Sequence, residues 1–234
     1  MRKIIKVSCL MVTRKARLEL SCRAISSFIS QDYNNKELII VHDDGNEFTE
    51  ILSNKFPGNN ISVYDVDTTS LGKLRNQSIE YATGDIICQW DDDDFSHPYR
   101  LSIQVDNLIA SNKDASYITM CMYHMNGEFH CIDMARGNPF IRTWRVVENS
   151  LLAFKDTVPL YQQLPKGEDT EITNHYIERD TCTTLVDIPY LFCTTYHGNN
   201  TWDVEHHTQI IQRYRSHKWM RQYSSEIQVL TRML

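Results

Sequence analysis

Over its first 110 residues the chain alternates short β-branched runs with stretches that are apolar at helical spacing, and that beat admits few folds. Ile4 to Val12 reads as a strand, and Leu18, Cys22, Ile25 and Ile29 then recur on one face of a helix. Glu37 to Val41 is a second strand, ended by the turn residues Asp43-Asp44-Gly45-Asn46. Ile61 to Val66 is a third. Leu71, Leu74, Ile79 and Ala82 mark the helix after it, and Thr83-Gly84 stops that helix. Asp85 to Trp90 becomes a fourth strand, and Pro98 opens a helix with Leu101, Val105, Leu108 and Ile109 inward. Repeated βαβ units of this kind settle as a mostly parallel sheet with helices on its faces.

Beyond Ser111 the pattern loosens. Strands are expected near Ser116 to Tyr123, Glu128 to Ile132, Ser150 to Phe154 and Leu191 to Tyr196, with a helix around Asp169 to Glu178 and helices to the end. A length of 234 residues, 41% hydrophobic and 23% charged, is that of a globular chain able to bury its own core. The expected architecture is α/β: one domain over 1–202, with a central mostly parallel Rossmann-like sheet flanked by helices and a smaller antiparallel portion. A helical extension over 203–234 follows.

A net charge of -6 argues against nucleic acid as the principal ligand. The segment from Val204 to Leu234 is the exception, with Arg213, Arg215, Lys218, Arg221 and Arg232 against Glu205 and Glu226. It is either a solvated helix face or a peripheral contact with an anionic membrane. Seven cysteines without a C-x-x-C pair read as reduced core residues. The apolar run at the start is broken by Lys6 and Ser8, so neither a signal peptide nor a membrane span is read, and a cytoplasmic protein is expected, with the inner membrane face as a peripheral station.

In open parallel sheets ligands bind beyond the carboxyl ends of the strands. Thr13-Arg14, Asp43-Asp44 and Asp91-Asp92-Asp93-Asp94 all fall at such ends. Four adjacent carboxylates repel one another when desolvated, so they call either for an open, solvated turn or for a hard divalent cation. The buried look of the strand before them favours the cation.

These residues together resemble the family 2 glycosyltransferases of GT-A fold. The resemblance rests on Glu37 to Val41 with Asp43-Asp44-Gly45, Gly72 with Arg75-Asn76, and Ala82-Thr83-Gly84-Asp85 leading to Trp90 and the four aspartates, with Pro98 and Leu101 beyond. Downstream, Gly167-Glu168-Asp169-Thr170-Glu171 and Tyr196-His197-Gly198-Asn199-Asn200-Thr201 fit the same family. The resemblance implies a nucleotide-sugar half over 1–110 and an acceptor half over 111–202. Asp93 would lead in holding Mn²⁺ or Mg²⁺, with Asp94 and His197 as further metal or phosphate contacts. Asp91 and Asp92 would serve the donor, Asp91 through ribose or sugar hydroxyls. Asp43 or Asp44 would read the base, His42 having inserted one residue ahead of them. Thr13 and Arg14 would line the nucleotide, Lys73 and Arg75 would stand near the diphosphate, and Asn76 would order a loop. Asp169, or else Glu168, would be the general base, unless the pair merely caps a helix.

The activity so implied is inverting, metal-dependent transfer of a single sugar from a nucleotide donor, a UDP-sugar first among them, to a saccharide or lipid-linked acceptor. Processive relatives carry Q-x-x-R-W, a spacing that Gln209 to Tyr214 does not reproduce. A sugar-phosphate nucleotidyltransferase would need a glycine-rich loop, and Met11 to Ala16 has no glycine. A non-catalytic nucleotide-sugar or metal-binding module would leave Glu168-Asp169 without a task. Phe140, Trp144 and Tyr161 are either acceptor-stacking or core aromatics.

Overall fold

The first strands are apolar on both faces, which decides the architecture. In a computed structural model describing residues 5–68, 70–136, 146–164, 166–216 and 222–233, β1 (Val7–Val12) turns Val7, Cys9 and Met11 to one side and Leu10 to the other. In β2 (Lys36–His42), Leu38 and Ile40 likewise oppose Ile39 and Val41. A strand of this kind has to be covered twice. On one face α1 (Leu18–Ile29), α2 (Asn46–Lys55) and α4 (Arg100–Ser111) supply Ala24, Ile25, Phe28, Phe48, Leu52, Leu101, Val105 and Leu108. On the other, α3 (Leu71–Tyr81) and α5 (Glu168–Glu178) supply Leu74, Ile172 and Tyr176.

The sheet has seven strands. With β3 (Ile61–Asp65), β4 (Ile86–Gln89), β6 (Ala115–Ile118), β9 (Val147–Phe154) and β10 (Cys182–Leu185), its order is β10-β6-β9-β4-β1-β2-β3. Strand β1 pairs in parallel with β2 on one side and β4 on the other, while β9 runs antiparallel to both β4 and β6. Strand order therefore reverses at β1 and β4, which opens a crevice beyond their carboxyl ends.

A second sheet, in the order β5-β11-β7-β8, is built from β5 (Phe95–Ser96), β7 (Met120–Met125), β8 (Glu128–Asp133) and β11 (Phe192–Thr195). It is mixed rather than wholly antiparallel, because β11 runs parallel to β7. The β7–β8 hairpin turns at Asn126-Gly127, both at positive φ, as a tight two-residue turn requires. Helix α6 (Val204–Tyr214) packs against this sheet, burying Tyr214 with Cys121, Tyr123 and Ile132, and α7 (Ser224–Met233) adds Leu230 to its other side.

The run Ser116 to Tyr123, read as one strand, is divided between the two sheets. Thr119 makes the step, its N–H and Oγ1 both donating to the Leu185 carbonyl at 3.0 Å. Helix α2 and strand β10 carry no comparable sequence signal, since α2 buries only Phe48 and Leu52 and β10 has no fully buried residue. All seven cysteines are free. Among the described residues no helix is long and apolar enough to cross a membrane. Phe140, Trp144, Lys218 and Arg221 lie outside the described residues, as does the side chain of Arg232.

Candidate active site

The loop after β4 is held at both ends before its aspartates do anything. Trp90 is buried against Phe28 and donates Nε1–H to the Ala24 carbonyl at 3.0 Å. Arg100, fully buried, donates to the Gln89 carbonyl (3.3 Å) and to Ser96 Oγ (2.9 Å), with its guanidinium over the Trp90 and Phe192 rings. Between these anchors the four carboxylates fan out into different company. Asp91 accepts from Arg75 and Gln89. Asp92 accepts from Thr13 Oγ1 (2.7 Å) and Arg17 (2.9 Å). Asp93 Oδ2 accepts from His197 Nε2 (3.0 Å), Arg17 (3.3 Å) and Asn200 (3.4 Å). Asp94 accepts from Asn149 (2.6 Å) and the Thr195 N–H (3.0 Å). Burial and the neighbouring Asp93 charge push Asp92 up to about 6, against the pull of Arg17 and Thr13. Burial, Asp93 and Asp91 raise Asp94 as well.

A second acidic group lines the same cavity. Glu168 and Asp169 open α5, yet neither caps it. Gly167, at φ 76, is the residue ahead of the helix and no side chain caps the end. Both carboxylates turn instead to Arg75 on α3, whose Nε lies 3.0 Å from Glu168 Oε1 and 3.5 Å from Asp169 Oδ1 while its terminal nitrogens reach Asp91. Burial opposes the Arg75 charge, but Asp169, Asp91 and Glu168 outweigh it and keep the group protonated. Asp169 keeps a fifth of its side chain exposed, toward the cavity, and also accepts from Gln89 at 3.3 Å. Desolvation, with Glu168 and Asp91 acting against the pull of Arg75, pushes its carboxyl up to about 6. The segment leading to α5 is docked on α3. Asn76 brackets the backbone of Tyr161 through both its N–H and carbonyl (2.8 and 2.9 Å), and a Cβ on Gly72 would stand 2.1 Å from the Gln162 carbonyl oxygen. Tyr161 itself is a core residue.

Thr13, Arg14, Arg75, Asp91 to Asp94, Glu168 and Asp169 line one cavity of about 990 Å³, and His197 joins it through Asp93. Asp43, Asp44 and Lys73 are not in its lining. Strand β2 lies on the far side of β1 from β4, and the Asp44 carboxylate is spent on the Lys15 N–H at 2.6 Å. His42 ends β2 buried, accepting the Asp44 N–H and facing Thr49 at 2.9 Å, so the inserted residue is absorbed into the strand. Lys73 is exposed on α3. The cavity also holds residues that the sequence did not announce: Arg17, Glu148, Asn149, Tyr123 and His207. Burial pushes Glu148 up to about 7, with Thr170 donating to it and the Asp169 and Glu168 charges close by. Tyr123 and His207 are hydrogen-bonded to each other.

Among the described residues no three His, Cys, Asp or Glu side chains form a metal cage. Asp93 and His197, brought together from two elements, make a pair. A hard cation that takes one or two protein ligands completes its shell with phosphate oxygens and water, and this donor set fits such an ion.

The family described as Glycosyl transferase family 2 is matched over residues 8–144. A protein of Escherichia coli (strain K12) named as a colanic acid biosynthesis glycosyl transferase, WcaA, is 35% identical over 91 residues, 37% of this chain and 32% of that protein. Among solved structures, S. aureus TarS 1–349 superposes with a TM-score of 0.66 at 18% identity, over 82% of this chain and 60% of TarS. Its complex with UDP-GlcNAc gives 0.66 at 17% identity over 84% and 60%, and its complex with UDP gives 0.64 at 17% over 94% and 72%. The chain thus spans about a third of the E. coli relative and three fifths of the first TarS structure. The TarS likeness is one of fold, the GT-A arrangement of a mostly parallel sheet between helices.

Proposed function

The chain belongs to glycosyl transferase family 2, and from that premise we propose that it moves one sugar from a UDP-sugar to a hydroxyl of a saccharide or lipid-linked acceptor, with inversion at the anomeric carbon. The observation that carries the reading is the meeting of two acidic groups in one cavity, Asp91 to Asp94 from the end of β4 and Glu168-Asp169 from the start of α5. Transfer breaks a bond to a diphosphate on one side of the anomeric carbon and removes a proton from a hydroxyl on the other, so it needs different groups on opposite walls. The complexes of TarS with UDP-GlcNAc and UDP support a uridine nucleotide as the donor.

In this reading Asp169 accepts the acceptor's proton as the hydroxyl oxygen attacks the anomeric carbon, and the bonding pair of the breaking C–O bond passes to the diphosphate. A base pushed up to about 6 is ionised at neutral pH and still basic enough to take a proton. Arg75 is a positioning residue, fixing Asp169 and Glu168 relative to Asp91. Asp91 and Asp92 face the donor with Thr13 and Arg14, and Asp43, Asp44 and Lys73 remain candidates for its outer parts. Asp93 and His197 would hold Mg²⁺ or Mn²⁺, which when bound neutralises charge on the leaving diphosphate; Asp94 sits behind them. The donor half then falls in 1–110 and the acceptor half in 111–202, with the seven-stranded sheet running through both.

A UDP-release assay across UDP-sugars, with and without Mn²⁺ and with saccharide acceptors, tests the reading. Metal-dependent release that is lost in Asp93→Ala is the expected result. A protein that binds no uridine nucleotide, or that forms nucleotide sugar from a sugar 1-phosphate and UTP instead, would overturn it.

A further inference from the structure

Arg17 lies in the short turn Lys15–Arg17 that follows β1, and its guanidinium reaches three elements at once. One terminal nitrogen donates to Asp92 Oδ1 at 2.9 Å and approaches Asp93 Oδ2 at 3.3 Å, and the other donates to the Asn199 carbonyl at 2.8 Å. Asp93 Oδ2 is the same oxygen that meets His197 Nε2. A cation shared by Asp93 and His197 would therefore come against a guanidinium already bound to its carboxylate.

Charge counting turns this crowding into an order of events. Asp92 and Asp93 bring two negative charges and Arg17 one positive, leaving a single negative charge. A divalent ion added alone would make the group net positive, with two cations in contact. A nucleotide diphosphate adds at least two negative charges and removes the conflict. We propose that Arg17 is the internal counter-ion of the Asp92-Asp93 pair, standing where a divalent cation would act until a nucleotide diphosphate brings one, and then giving up Asp93 for the diphosphate oxygens. The proposal rests on the reading of Asp93 and His197 as the cation's protein ligands. A fork-shaped cation suits the exchange, because the same planar donors that grip a carboxylate grip a phosphate. The guanidinium's other terminal nitrogen holds the Asn199 carbonyl, so the 196–203 segment carrying His197 is tied to the group that exchanges.

The test is free-Mn²⁺ titration by electron paramagnetic resonance, with and without UDP, on the wild type and on Arg17→Met, Arg17→Lys and Asp93→Asn. Arg17→Met, shown folded by near-ultraviolet circular dichroism, is expected to bind Mn²⁺ alone about 10-fold more tightly than the wild type, and to lose about the same factor from the gain that UDP confers. Arg17→Lys, which keeps the charge without the fork, should fall between them. In the wild type the Arg17 Nε–H NMR signal should move when Mg²⁺ and UDP are added together, a readout independent of any variant. A folded Arg17→Met that binds Mn²⁺ no more tightly, or an Arg17 signal that stays in place, overturns the proposal. If Asp93→Asn still weakens Mn²⁺ binding in that case, the metal reading survives. If Asp93→Asn leaves Mn²⁺ binding unchanged, both fall.

Discussion

Two guanidinium groups hold the acids of the cavity, and they do so on different terms. Arg75, with 11% of its side chain exposed, faces Asp91, Glu168 and Asp169 and lies over the Tyr161 ring. Arg17, at 25%, faces Asp92, Asp93 and one backbone carbonyl from the rim. Both are arginine–carboxylate clusters, yet burial and partner number assign them unlike roles. Three carboxylates around an enclosed cation leave no substitute for it, so Arg75 belongs to the frame. At the rim, water or an arriving ion can replace a guanidinium at modest cost, so Arg17 is free to exchange.

The sharpest way to break that contrast is to remove each arginine. Arg75→Met strands the buried Glu168 and the half-buried Asp91 and Asp169, and should cost about 3–5 kcal/mol in urea unfolding, along with transferase activity. Arg17→Met, which leaves the buried Asp92 with Thr13 Oγ1 as its remaining donor, should cost less, about 1–3 kcal/mol. Equal losses would mean that the two clusters are of one kind. Within the Arg75 cluster, Asp169→Asn should lower kcat by about 10²- to 10⁴-fold while calorimetry still registers UDP binding. Full activity in that variant would remove Asp169 from the chemistry.

The same cluster sets a pH limb. Asp169 acts ionised and its carboxyl is pushed up to about 6 by burial, so protonation on the acid side removes the base. The ratio kcat/KM should be level above neutrality and fall about tenfold per unit below that value. Asp169→Asn should lose this limb, and a limb that persists there would belong to another group. Smaller still is Gly72→Ala, where the added Cβ meets the Gln162 carbonyl and should cost about 1–3 kcal/mol by lifting the loop ahead of Asp169. Least of all is Lys73→Ala on the exposed face of α3, expected to shift stability by under about 0.5 kcal/mol and donor KM by less than about twofold. A tenfold rise in KM would bring Lys73 into the donor site.

Apart from α2, the first 110 residues were legible because their signals are local. Leu38 and Ile40 against Ile39 and Val41, Thr83-Gly84 after α3, and Asp91 at the end of β4 each follow from neighbours in sequence. The second half was harder to read for a physical reason. Ser116 to Tyr123 is apolar but for Ser116 and Thr119 and β-prone throughout, and nothing in it marks Thr119 as the point where the chain leaves one sheet for another. At the site, Glu168-Asp169 stood out through the family resemblance, but their turn toward Arg75 rather than toward the helix end did not. Arg17 carried only a weak signal, one basic residue among Arg14, Lys15 and Arg17 after the first strand.

By itself the sequence determined the parallel βαβ half, the acidic run at the tip of its fourth strand and the family to which the chain belongs, because periodicity and turn chemistry act over a few residues. Tertiary structure alone decided which charges share a guanidinium. Asp93 lies 104 residues from His197, and Arg75 lies 93 from Glu168. Over such separations, partners are chosen by strand order and by how the second sheet closes on the first, and no local preference along the chain encodes that choice.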